Sequence, residues 1–250
     1  MKITTVINQK GGVGKTTLVF NLAKRSVEEN LRTLVIDLDT QGNASQILTG
    51  DIGINRIFIN GSDELFLPEF NGINPTKTAH GIDLVHGHKG IDRIDNVREV
   101  EELAYSATLR QRIRQLPYDR VIVDTPPAIG VRHMAPLYWS DQVVIPLEPE
   151  LSSLAGLQDV IAAIDLARPL NPGLRWMAVL NRVKKASKSH REVVKAVEKM
   201  YGNAVVSELT DRVAVTDSRQ QENPQPVWKF RGADKRLREL WHGFCSTIVC

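Results

Sequence analysis

The segment Lys10-Gly11-Gly12-Val13-Gly14-Lys15-Thr16-Thr17 constrains this chain more than any other. It follows a β-branched run, Ile3 to Ile7, and leads directly into a stretch of helical period over 16–29. A glycine-rich loop closing on Gly-Lys-Thr between strand and helix lets backbone N–H groups turn inward around phosphate oxygens, with the positive end of the helix dipole behind them. Gly11, Gly12, Val13, Gly14 and Thr17 then form the cradle, Lys15 reaches the β- and γ-phosphates, and the Thr16 hydroxyl ligates Mg2+. Lys10, ahead of the glycine pair, is either a further phosphate ligand or a solvated surface lysine.

The rest of the chain fits an α/β fold of the P-loop type. Apolar runs recur at Thr33–Ile36, Ile82–Val85, Val121–Val123, Val143–Ile145 and Met177–Leu180, nearly continuous as in strands buried on both faces. Helical periods over 96–115, 152–168 and 188–201 alternate with them, which implies a mostly parallel, doubly wound sheet flanked by helices. We expect one domain over 1–250, with irregular structure over 50–81 and a final helix over 232–250. That helix places Leu237, Leu240, Trp241, Phe244 and Ile248 on one face. The two cysteines, Cys245 and Cys250, cannot build a disulfide framework or a four-thiolate metal site, and a reducing cytoplasm fits them best. Without a run of about 18 apolar residues, membrane spanning is not expected.

The stretches Asn8–Thr17, Leu34-Val35-Ile36-Asp37-Leu38-Asp39-Thr40-Gln41-Gly42-Asn43-Ala44-Ser45, Tyr118–Pro127 and Val144–Leu147 together resemble the ParA family of partition ATPases, within the deviant Walker A group. The resemblance covers the nucleotide-site segments to about residue 182 and is loose in 50–81 and after 183. It implies ATP and Mg2+ as cofactors, a homodimer formed on ATP, and Lys10 as the lysine that reaches the nucleotide of the other subunit.

Asp37, Asp39 and Asp124 end strands, where ligand-facing residues of a doubly wound sheet lie. Asp124 reads as the carboxylate that holds Mg2+ directly or through water, whereas Asp37 reads equally well as a loop cap. By the resemblance, Asp39 orients the attacking water. Asn181 follows the Met177–Leu180 run where relatives read the adenine edge; as a residue type it is an equally good turn former.

Charge divides unevenly. Residues 1–150 carry 16 Lys/Arg against 19 Asp/Glu, and residues 151–250 carry 16 against 10. Within the basic part, Arg182, Lys184, Lys185 and Lys188 form one group, and Lys229, Arg231, Lys235 and Arg236 another, with Arg219 upstream of it. Such clusters suit phosphate contacts that sum in a salt-dependent affinity. The phosphate loop begins ten residues in, leaving no room before it for a helix-turn-helix, so we expect binding to DNA without sequence preference. The resemblance further implies a ParB-like centromere-binding partner and a cytoplasmic, nucleoid-associated protein. A membrane-cycling relative similar to MinD is the alternative, because the last helix is basic and amphipathic, although Asp234 and Glu239 interrupt its charge.

Overall fold

The computed structural model describes residues 1–50, 61–70 and 72–250. Its strands are β1 (Lys2–Val6), β2 (Thr33–Asp37), β3 (Thr76–Lys77), β4 (Ile82–Val85), β5 (Arg120–Asp124), β6 (Gln142–Leu147), β7 (Arg175–Val183) and β8 (Val205–Thr210). They form one sheet in the order β3-β4-β2-β5-β1-β6-β7-β8, parallel throughout except for β3 against β4.

Neighbouring side chains of a strand point into different layers, and both layers are apolar. On β5, Val121 and Val123 pack into one layer and Ile122 into the opposite one. That double burial is why these strands read as unbroken hydrophobic runs. One layer holds α1 (Lys15–Glu28), α2 (Asn43–Thr49) and the last helix; the other holds α3 (Arg98–Ala104), α4 (Ala107–Arg114), α5 (Val131–Met134), α6 (Pro136–Trp139), α7 (Leu151–Ala167) and α8 (Lys188–Tyr201). The chain ends in α9 (Val213–Arg219) and α10 (Lys235–Val249). The Asp234 side chain caps α10 by accepting from Leu237 N at 2.8 Å. Leu237, Trp241, Phe244 and Ile248 are buried in the α1 layer, with Leu240 packed half-buried at its edge.

Three expectations need correction. The helical period over 96–115 is two helices, because Ser106 starts a new one: its Oγ accepts from Leu109 N at 3.4 Å and donates to Leu103 O at 2.6 Å. The irregular stretch 50–81 contains a 3-10 turn at Ser62–Phe66 and the short strand β3, while 51–60 and 71 lie outside the described residues. Asn181 sits inside β7, which runs on past Leu180 to Val183. The sequence reading also misses β8 and α9.

The topology fixes where a ligand can sit. From β1 the chain moves to β2 and β4, returns through β5 between β2 and β1, then continues on the far side through β6, β7 and β8. The crevice at the carboxyl ends of β1, β5 and β6 is therefore the point where the winding reverses, the usual ligand position in open α/β sheets.

Candidate nucleotide-binding site

The glycine loop occupies that crevice, between the end of β1 and the start of α1. Gly12 and Gly14 have φ of 78° and 95°, a left-handed conformation that disfavours side chains. A Cβ on Gly14 would also collide with the Asn181 amide nitrogen. Val13 is fully buried and anchors the loop from below. From β7, Asn181 Nδ2 donates to Val13 O at 2.7 Å, so this amide spends one hydrogen bond on holding the loop itself.

Lys15 is 7% exposed, with Nζ donating to Asn8 O at 2.9 Å and to Lys10 O at 3.2 Å. Burial lowers its pKa, and Asp124 and Asp39 oppose that shift by favouring the ammonium. The ammonium is thus wrapped by the loop that it would share with phosphate oxygens.

Asp37 and Asp124 pair in register at the ends of β2 and β5, which sets two buried carboxylates side by side. Asp37 is committed to the structure: it accepts from Ser45 N at 2.9 Å, Ser45 Oγ at 2.7 Å and Asp39 N at 3.1 Å. Burial pushes its pKa up to about 6, against the pull of those bonds. Asp124 accepts from Thr16 Oγ1 at 2.7 Å, and its other oxygen, Oδ1, is buried with no partner. Burial first and the Asp37 charge second raise the Asp124 pKa well above the carboxylate range. The Thr16 hydroxyl and the Asp124 carboxylate, one of whose oxygens is orphaned, form a hard-oxygen donor pair that fits Mg2+.

In front of the loop opens a hollow of about 350 Å³, lined by the glycines, Lys15, Thr16, Thr17, Asp39, Gln41, Asn43, Pro127 and Arg219. Asp39 reaches it half-exposed, its carboxylate accepting from Gln41 N at 3.0 Å within its loop. A smaller hollow of about 50 Å³ continues past Gly14 and Thr17 to Asn181, Arg182, Thr210, Asp211, Arg212, Thr216 and Arg219. Gln41, Asn43, Pro127 and Arg212 are additions to the residues singled out from sequence. The first three stand inside the motif segments, so a signal for them exists there; Arg212 belongs to the missed β8–α9 connection.

Lys10 does not face the hollow. Its ammonium is paired with Glu150 and lies 3.7 Å from Glu148, both in the connection between β6 and α7. The expected DNA-contact residues also scatter. Lys184, Lys185 and Arg236 line one groove of about 400 Å³ between the β7–α8 connection, the end of β8 and the start of α10, together with Arg212 and the acids Glu208, Asp211 and Asp234; Lys184 lies 3.8 Å from Asp211. Lys229 pairs with Glu28 of α1 at 2.6 Å, Lys235 with Glu239 at 3.8 Å and Lys188 with Glu192 at 3.9 Å; Arg231 is exposed. Arg182 donates to Glu148 Oε1 at 2.6 Å and to Gly12 O at 3.2 Å, and Arg219 lines the nucleotide hollows.

A glycine loop at the carboxyl end of the first strand, with a buried lysine and a strand-end carboxylate bonded to the loop threonine, defines a P-loop nucleotide-binding protein. A family model described as an AAA domain matches residues 1–175. A ParA family protein of Mycoplasma pneumoniae is 30% identical over 212 residues, which span 78% of this chain and 76% of that protein. The chromosome-partitioning ATPase Soj of Thermus thermophilus is 35% identical over 69% of this chain and 66% of its own length. Among solved structures, a substituted form of Cyanothece McdA in complex with ATP superposes with a TM-score of 0.83 at 18% identity, over 99% of this chain and 96% of that one. The chain belongs to the ParA family of partition ATPases, within the MinD-ParA superfamily.

Proposed function

We propose that the protein is an ATP-driven partition switch: two copies close face to face on ATP, the closed dimer holds DNA through its backbone, and hydrolysis opens it. The observation that carries this reading is the convergence of Lys15, Thr16, Asp39 and Asp124 on one crevice, in a chain of the ParA family. Lys15 and the loop N–H groups hold the phosphate chain. Thr16 and Asp124 would hold Mg2+, which neutralises charge on the transferring group when bound. Asp39 orients water in line with the γ-phosphorus, since phosphoryl transfer leaves the protein mostly positioning and electrostatics to supply.

Lys10 exchanges Glu148 and Glu150 for the nucleotide of the second copy, so closure and the γ-phosphate depend on each other. The groove bearing Lys184, Lys185 and Arg236 supplies the phosphate contacts to DNA, doubled in a dimer. A ParB-like partner stimulates hydrolysis, and the protein works in the cytoplasm on the nucleoid. The burial of the α10 apolar face against the α1 layer supports DNA over a MinD-like membrane surface, because that face is already covered.

The test is light scattering with a non-cleavable ATP analogue, alongside binding to unrelated DNA duplexes and to anionic vesicles. The expected result is a dimer that binds any duplex only with nucleotide, weakens steeply with salt and leaves vesicles in suspension. A monomer at saturating analogue overturns the reading.

A further inference from the structure

Among the described residues Arg219 makes no hydrogen bond or ion pair, and of the arginines lining the hollows it alone has a buried, unpartnered nitrogen; Arg212, also unpaired, is exposed. Arg219 ends α9, its Nε is buried without a partner, and its side chain lines both the hollow before the glycine loop and the smaller hollow beyond Gly14. Burial first and the neighbouring Arg182 cation second press its pKa downward. Arg182 is matched by Glu148 and Gly12 O, and it takes a left-handed φ of 55° to reach them. Arg219 has no such counter-charge. A half-buried guanidinium with an unmet donor costs stability unless something anionic completes it. The two hollows share Gly12, Gly14, Thr17 and Arg219, which mark the neck between them; on the nucleotide reading above, that neck takes the junction of phosphates and sugar.

We propose that Arg219 is a ligand-contacting specificity residue whose guanidinium grips the neck of a nucleoside di- or triphosphate, at the sugar-proximal phosphates, and so belongs to the nucleotide site and not to the DNA surface. The planar fork of five donors suits two phosphate oxygens, or one with a sugar hydroxyl, on the side away from Lys15. This inference rests on the nucleotide reading above. It adds that residues 213–219, far from the glycine loop in sequence, are part of ligand affinity.

The experiment compares full-length wild type, Arg219→Ala, Arg219→Lys and Lys15→Ala by titration with fluorescent N-methylanthraniloyl-ADP and Mg2+, by melting with and without ADP, and by affinity for a random DNA duplex. The expected result is ADP affinity about tenfold or more weaker in Arg219→Ala, the scale of a lost charged hydrogen bond, with partial recovery in Arg219→Lys. The ligand-free Tm of Arg219→Ala should match or exceed that of wild type, because an unmet buried cation is removed, while ADP raises it less. Unchanged ADP affinity in Arg219→Ala, with Lys15→Ala impaired, overturns this inference alone. So does a loss of DNA affinity at unchanged ADP affinity, or a lower ligand-free Tm with an undiminished ADP shift. If wild type fails to bind ADP, the nucleotide reading falls and takes this inference with it.

Discussion

Asn181 donates its side-chain amide to the Val13 carbonyl at 2.7 Å, stitching the seventh strand to the apex of the glycine loop. Val13 is fully buried, so the carbonyl that Asn181 satisfies has little access to water. Replacing Asn181 with Ala leaves a buried acceptor unpaired, at about 1–3 kcal/mol. The expected outcome is weaker nucleotide binding and a lower Tm, read by titration and melting. Asn181→Asp should be worse than Asn181→Ala, because it sets a carboxylate against that carbonyl.

Gly14→Ala meets two obstacles together, a φ of 95° and the Asn181 amide nitrogen in the space the new Cβ would need. Loop and amide cannot both stay in place. Nucleotide affinity should fall by about tenfold or more while the fold survives, measured by titration and circular dichroism. Gly156→Ala, in α7 and outside both hollows, where a Cβ meets nothing within 4 Å, is the control and should bind normally.

Asp39→Ala should keep ATP binding but lose turnover by about 10²-fold or more, the usual loss when a positioned carboxylate leaves a reacting water. Lys15→Ala should lose both. Single-turnover hydrolysis and nucleotide titration separate the two variants, and undiminished hydrolysis by Asp39→Ala would remove that residue from the mechanism.

Trp241 is fully buried in the α1 layer, edge to face with Phe244 at 6.3 Å between centroids. Trp241→Ala should cost about 3–5 kcal/mol of stability, seen in denaturant titration. This would show that the last helix is a structural wall of the sheet.

The two thiols differ sharply. Cys245 is fully buried, and that burial lifts its pKa well above the ordinary thiol range, whereas Cys250 is exposed. A thiol reagent at neutral pH should modify one cysteine per native chain and two after denaturation. Since the raised pKa removes thiolate, reactivity of Cys245 should stay low even as pH approaches about 9. Rapid labelling of both in the native state would mean that α10 opens.

The elements legible in the sequence are those with an unambiguous physical imprint. Strands β2, β5 and β6 are apolar on both faces, and the glycine loop needs its residue types for steric and electrostatic reasons. The edge strand β8 escapes because Val205–Thr210 is only half-buried, with Leu209 alone fully covered, so no doubly apolar run marks it. The break between α3 and α4 is hidden because the apolar period carries across Ser106, and only its capping bonds show that a new helix starts there. At the site, Lys15, Thr16 and Asp124 are readable from local pattern. The bond from Asn181 to Val13, the Glu148 and Glu150 partners of Lys10, and the position of Arg219 are not. Each joins segments more than a hundred residues apart, and no local period encodes such a meeting.

The crevice is built from two widely separated lengths of chain. Lys15, Thr16, Asp39 and Asp124, around the larger hollow, all belong to the first half, and most of what borders the smaller hollow lies between 181 and 219. On the proposed reading, mutation of the late segment alone retunes which nucleotide is admitted and how long it lingers, while the residues proposed to act in hydrolysis stay as they are.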